Sequence, residues 1–203
     1  MQIKILPDPA SVASASATLV AERVLQSVAE RGRFTIALSG GSTPWAMLAE
    51  LAKEDLPWDK VHVFQVDERV APSGDKDRNL THMYASLLDS TPIPPGQIYP
   101  MPVEDADLDE GCRRYAETLR QIVGNPTVID LIHLGLGPDG HTASLVPEDK
   151  SLDVTDMDVA SAGPYQERMR MTLTYPIINR AREIMWLLTG SGKTEMLNRM
   201  KAG

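Results

Sequence analysis

Phe34 to Leu51 reads FTIALSGGSTPWAMLAEL. A short apolar run, Phe34 to Leu38, ends in Ser39-Gly40-Gly41, and from Pro44 to Leu51 the pattern turns helical. A strand that passes through a glycine turn directly into a helix is the repeating unit of a parallel α/β sheet. The same alternation extends outward to both ends of the chain. Upstream, Gln2 to Leu6 is strand-like, and Ala10 to Glu30 lacks Pro and Gly and predicts a long helix anchored by Leu19, Val20, Val24 and Leu25. Downstream come a strand at Val61 to Val66, a helix at Asn79 to Leu88 and a helix at Asp105 to Ile122. A strand of the fully buried kind follows at Val128 to Leu134, then strands at Arg170 to Tyr175 and Glu183 to Leu188, and a closing helix at Lys193 to Met200.

The fold class expected is α/β: an open, mostly parallel, Rossmann-like sheet with helices on both faces, built as one domain over residues 1–203. Pro92, Pro94, Pro95, Pro100 and Pro102 crowd one segment, which predicts a stiff surface connection too short for an interdomain linker. Hydrophobic residues make up 42% of the chain and aromatics only 5%, so the core must be largely aliphatic. No run approaches the ~18 apolar residues of a membrane span, and the N-terminus has no apolar run of signal-peptide length. Cys112 is the only cysteine, which fits a reducing, cytoplasmic location. The net charge of -8 and the lack of a basic run argue against a nucleic-acid partner.

In such sheets ligands bind beyond the carboxyl ends of the strands, so the loops there decide the chemistry. The first, Ser39 to Pro44, can turn tightly at its glycines, lets Ser42 or Thr43 cap a helix and suits Pro44 to a first helical position. Its exposed N–H groups at a helix start make an anion site, although a plain capped turn would read the same way. The second, Asp67-Glu68-Arg69, follows a strand and by itself reads as a solvated loop. Asn79, ten residues later, can cap the next helix. The third, Gly135 to Ser144, matches GxGxxG at Gly135, Gly137 and Gly140. A dinucleotide reading fails because Asp139 would sit where a pyrophosphate belongs, Pro147 interrupts the helix and the match falls late in the chain. What remains is a loop presenting Asp139 and His141 as an acid–base pair. His62 and His133 lie inside strands and His82 on a helix, where structural roles are expected. No metal-ligand motif is present, and no metal is expected.

Taken together, SGGSTP at Ser39 to Pro44, DER at Asp67 to Arg69 with Asn79 after it, IDLIHLGLGPDGHTASLVP at Ile129 to Pro147, RMTLT at Arg170 to Thr174 and GSGK at Gly190 to Lys193 resemble the 6-phosphogluconolactonase family. They occur in that family's order across nearly the whole chain, and GxGxDGHTAS is the most specific piece. The resemblance implies hydrolysis of 6-phospho-D-glucono-1,5-lactone in the oxidative pentose phosphate pathway, with no cofactor. Its substrate is an anion that the net negative charge would repel, so the site needs its own positive charge. By the same resemblance Ser39, Gly40, Gly41, Ser42 and Thr43 hold the phosphate or line the site beside it, and Arg170 and Lys193 lie near the phosphate and supply that charge. Asp67, Arg69 and Asn79 line the sugar, and His141, beside Asp139, is the general base. The oligomeric state is not legible.

Two other readings stand beside this one. A glucosamine-6-phosphate deaminase shares the phosphate loop and the DGH motif, but usually has Glu seven residues after the motif Asp and reads Asp-Glu-Tyr. Here those positions hold Val146 and Asp67-Glu68-Arg69. A non-catalytic sugar-phosphate sensor is disfavoured by the presence of the base and the anion ligands together. Family members usually continue a few dozen residues past GxGK, whereas this chain stops at Gly203, and a truncated C-terminus and a natural short form are the two corresponding expectations.

Overall fold

The computed structural model describes residues 2–202. In chain order its strands are β1 (Phe34–Leu38), β2 (Val61–Gln65), β3 (Asp67–Arg69), β4 (Ile98–Tyr99), β5 (Leu131–Leu134), β6 (Val159–Tyr165), β7 (Arg168–Leu173) and β8 (Glu183–Trp186). Its helices are α1 (Pro9–Arg31), α2 (Ser42–Leu51), α3 (Asn79–Ser86), α4 (Leu108–Val123), α5 (Tyr175–Arg180) and α6 (Thr194–Ala202). Five strands make one all-parallel sheet in the order β4-β2-β1-β5-β8.

Every residue of β1 is buried, as a parallel strand covered on both faces requires. Its alternation divides the interior. Phe34, Ile36 and Leu38 join Val20 and Val24 of α1, Met47 and Leu48 of α2 and Met83 of α3. Ala37 joins Tyr115 and Leu119 of α4 and Ile177 of α5. The long helix α1 is fixed at its start by Asp8, whose carboxylate accepts the Ser11 N–H at 2.7 Å, and at its end by Gly32 at φ 75°.

The remaining strands form a separate antiparallel sheet in the order β3-β7-β6. One residue joins the two sheets. The Val66 N–H donates to Leu38 O at 2.9 Å, while Val66 O accepts from Leu173 N at 2.8 Å. Several sequence expectations change as a result. Asp67-Glu68-Arg69 is a strand and not a loop, because β7 supplies its hydrogen-bonding partner from a hundred residues away. Its partner, expected at Arg170 to Tyr175, stops at Leu173 and gives way to α5. β6 had no signal, since VASAGPY carries Gly and Pro and little β propensity. The proline-rich segment contributes the two-residue edge strand β4, a place where proline is tolerated. Gln2 to Leu6 forms no strand. The strand expected from Val128 begins only at Leu131, and α4 starts at Leu108 because Asp107 caps it, accepting from Asp109 N and Glu110 N.

α3 is capped from outside itself. Arg78 occupies its N-cap position with no capping side chain, so Asn79 lies inside the helix and does not cap it. Glu68, with no exposed surface, accepts Asn79 N at 2.8 Å and Leu80 N at 2.9 Å. It also accepts Arg69 N and Gln65 Nε2, both at 2.8 Å, and ion-pairs with the buried Arg78 at 3.2 Å. Removing one member of a buried pair leaves a stranded charge and, here, two uncapped helix N–H groups. Glu68→Ala should therefore lower unfolding free energy by about 3–5 kcal/mol. Equilibrium urea unfolding measures this, and a loss under ~1 kcal/mol would show that the carboxylate does not hold α3.

Candidate active site

The carboxyl ends of β1, β2 and β5 bring the three loops singled out in the sequence into one region, and β7 and β6 close it from the side. After β1, Ser39 is buried, and Gly41 stands at the N-cap of α2 with φ 128° and no side-chain cap. The helix begins at Ser42, so neither Ser42 nor Thr43 caps it, and Pro44 is its third residue and not its first. Thr43 Oγ1 turns instead to Thr189 Oγ1 at 2.7 Å. An uncapped helix start leaves its first N–H groups for a ligand. Gly40 is obligatory for contact reasons: a Cβ there would lie 2.0 Å from Asn79 Oδ1.

Period-two alternation in β3 puts Asp67 and Arg69 on one side and Glu68 on the other. Asp67 accepts Ser144 Oγ at 2.7 Å. Asn79 Nδ2 donates to Asp67 O at 3.0 Å, and Asn79 Oδ1 accepts Arg69 Nη1 at 3.1 Å. Burial pushes the Asp67 carboxyl above its ordinary range, although the Ser144 hydroxyl opposes that. Across the ladder Arg69 pairs in register with Arg170, and Asp67 with Thr172, whose Oγ1 accepts Ser144 N at 3.2 Å. Arg170 is buried, and its guanidinium sits 5.0 Å from the centre of the Tyr165 ring.

The third loop is closed by Gly137 N donating to His141 O at 2.7 Å. A Cβ on Gly137 would lie 2.2 Å from His141 Nδ1, so this glycine exists to admit the imidazole. His141 Nδ1 and Asp139 Oδ1 are 2.5 Å apart. Burial alone would raise the Asp139 pKa, but hydrogen bonds from the His141 ring and backbone hold it below the usual carboxylate value. An ionised carboxylate only accepts, so Nδ1 carries the hydrogen and Nε2 presents a lone pair. Tyr165 OH donates to Asp139 Oδ2 at 3.2 Å, and the Tyr165 ring stands edge-on to His141 at 5.3 Å. Lys193 Nζ donates to Leu136 O and so anchors the same loop from the short 3-10 turn just before α6.

Asp139 with His141, and Asp67 with Arg69, Asn79 and Gly40, are thus in direct contact, whereas Arg170 and Lys193 approach from separate elements. Sequence reading missed Ser144, Thr172 and Tyr165. The first two lie inside quoted motifs, where alternation along RMTLT could have assigned Thr172 to the Arg170 side. Tyr165 had no signal, because only the β6–β7 pairing brings it to the loop. His62 meets Tyr99 OH at 2.9 Å and His82 stacks on Trp45. A groove of about 950 Å³ between α4 and the start of β6, lined by Arg113, Ser151 and Arg180 among others, contains none of these site residues.

An open parallel sheet with an uncapped glycine turn and an Asp–His pair at its strand ends, flanked by a side strand that carries Arg170, defines an α/β protein with its candidate site at the carboxyl ends of the parallel strands. The chain belongs to the family described as glucosamine-6-phosphate isomerases/6-phosphogluconolactonase, whose model matches residues 7–203. It is 38% identical over 205 residues to the 6-phosphogluconolactonase of Synechocystis sp., covering 99% of this chain and 85% of that one. It is 36% identical over 204 residues to the 6-phosphogluconolactonase of Mycobacterium tuberculosis, covering 95% and 83%. The fold matches the crystal structure of 6-phosphogluconolactonase from Thermotoga maritima with a TM-score of 0.89 at 25% identity, covering 98% of this chain and 89% of that one. No helix among the described residues is long and apolar enough to cross a membrane.

Proposed function

We propose that this chain is a carboxylic ester hydrolase that opens 6-phospho-D-glucono-1,5-lactone to 6-phosphogluconate, with His141 activating the water. The observation that carries the mechanism is the 2.5 Å contact between Asp139 and His141 Nδ1, which orients the ring and leaves Nε2 as the base. Water gives its proton to Nε2 as its oxygen attacks the lactone carbonyl. Arg69, or a backbone N–H of the glycine loops, stabilises the oxyanion, an effect typically worth roughly 3 kcal/mol per donor. The tetrahedral intermediate collapses by breaking the ring C–O bond, and the departing oxygen takes the proton back from His141. No covalent enzyme intermediate is needed.

The substrate's phosphate would lie on the Ser39–Thr43 turn at the start of α2, with Arg170 and Lys193 supplying positive charge. Asp67 and Asn79 would order the sugar end. The near-complete burial of Asp67 suits it to holding Ser144 and Asn79 more than to transferring protons. The deaminase reading lacks its acid, because the corresponding residue, Val146, is a buried aliphatic side chain.

The purified protein should open the phosphorylated lactone faster than its spontaneous background and release no ammonia from glucosamine 6-phosphate. Ammonia at a useful rate would replace the lactonase reading with the deaminase one. His141→Asn should keep product affinity but lose roughly 10²-fold or more of kcat. A folded, product-binding His141→Asn enzyme with near-normal kcat would remove the imidazole from the mechanism. Arg170→Ala and Lys193→Ala should mainly raise KM for the phosphorylated lactone, because phosphate binding is shared by ground and transition states. The unphosphorylated lactone serves as the control, and equal losses on both substrates would contradict the phosphate assignment.

A further inference from the structure

His133 lies on β5 with no exposed surface. Its Nδ1 is 3.4 Å from Ser39 N and 3.2 Å from Ser39 Oγ. Ser39, itself buried, is where β1 gives way to the glycine turn. A backbone N–H can only donate, so Nδ1 accepts and the ring proton sits on Nε2. Nε2 is buried without a hydrogen-bond partner. An unpartnered buried N–H is a cost to the fold. The register partner of His133 on β8 is the apolar Met185, a member of the hydrophobic cluster that α1, α2 and β1 share. On packing grounds alone an aliphatic residue would serve this position better, and among the described residues the hydrogen bonds His133 makes are to Ser39. Burial pushes its pKa down to about 4, which keeps Nδ1 an acceptor at neutral pH.

The turn is therefore gripped from two directions. Below it the imidazole holds Ser39, and beside it Asn79 packs so closely on Gly40 that no side chain fits. We propose that His133 is a positioning residue for substrate binding: it fixes Ser39 and, through Ser39, the N–H groups that the turn and the start of α2 offer to the phosphoryl group. The inference rests on reading Ser39–Thr43 as the phosphate turn. A slackened turn would weaken phosphate binding without touching the Asp139–His141 pair, so the effect belongs in KM and not in kcat.

Three variants test this on the phosphorylated and unphosphorylated lactones, with melting temperature measured alongside. His133→Leu should raise KM for the phosphorylated lactone about tenfold, the scale of one hydrogen bond. Its kcat, its KM for the unphosphorylated lactone and its melting temperature should stay level or, for the last, rise. His133→Asn sets an amide oxygen where Nδ1 stood and should restore KM. Ser42→Pro deletes one N–H at the first position of α2, where proline is tolerated, and should also raise KM for the phosphorylated lactone alone. If Ser42→Pro changes nothing, the phosphate turn itself is misassigned. If Ser42→Pro raises KM and His133→Leu does not, or if His133→Asn is no better than His133→Leu, the positioning role is overturned. A His133→Leu enzyme that melts earlier and loses equally on both lactones would reduce His133 to a core residue.

Discussion

Glu68 is a carboxylate with no exposed surface, and the arrangement of the site depends on what its two oxygens accept. They take the first two N–H groups of α3, the Arg69 N–H, the Gln65 amide and the charge of Arg78. Gln65 in turn accepts Met101 N through its other amide atom, at 2.8 Å. A group this expensive to desolvate persists only when its hydrogen bonds are filled. The consequence for the site is indirect but strict. With the Asn79 backbone tied to Glu68, the Asn79 side chain is released from capping and can bridge Asp67, Arg69 and Gly40.

The site lies at the seam between two sheets that meet through Val66. The parallel sheet contributes the loops carrying Ser39–Thr43 and Asp139–His141. The antiparallel sheet contributes Asp67, Arg69, Arg170 and Tyr165. Ser144 stitches them, donating its hydroxyl to Asp67 and its N–H to Thr172. Tyr165 adds a second stitch at the Asp139 carboxylate. The His141 imidazole is thus oriented by a loop of one sheet, and the carboxylate beside it is steadied by a hairpin of the other.

Most of the parallel sheet was legible because its strands are mostly apolar and its loops carry glycine where backbones must turn or approach. Gly40 and Gly137 are the clearest cases, since each makes room for a named side chain, Asn79 and His141. The antiparallel sheet was largely illegible. Three charges in a row at Asp67 to Arg69 look like a solvated loop, and only a partner strand distant in sequence turns them into a ladder with two faces. Local pattern carries no trace of such long-range pairing, which also explains why Tyr165 was missed. The helix starts at α2 and α3 were misjudged for a related reason. Ser, Thr and Asn cap helices when nothing else does, whereas here Gly41 and Glu68 stand in those roles.

Arg69 and Arg170 face each other directly across β3 and β7. Like charges so placed repel, and burial makes the repulsion harder to screen. The buried carboxylates of Asp67 and Glu68 on the same strand offset part of this repulsion, and the ladder holds the two arginines in place against the rest. On the proposed reading, in which Arg69 meets the lactone oxyanion and Arg170 the phosphate, negative charge on the substrate would relieve that repulsion, and the liganded protein would be more stable than the empty one.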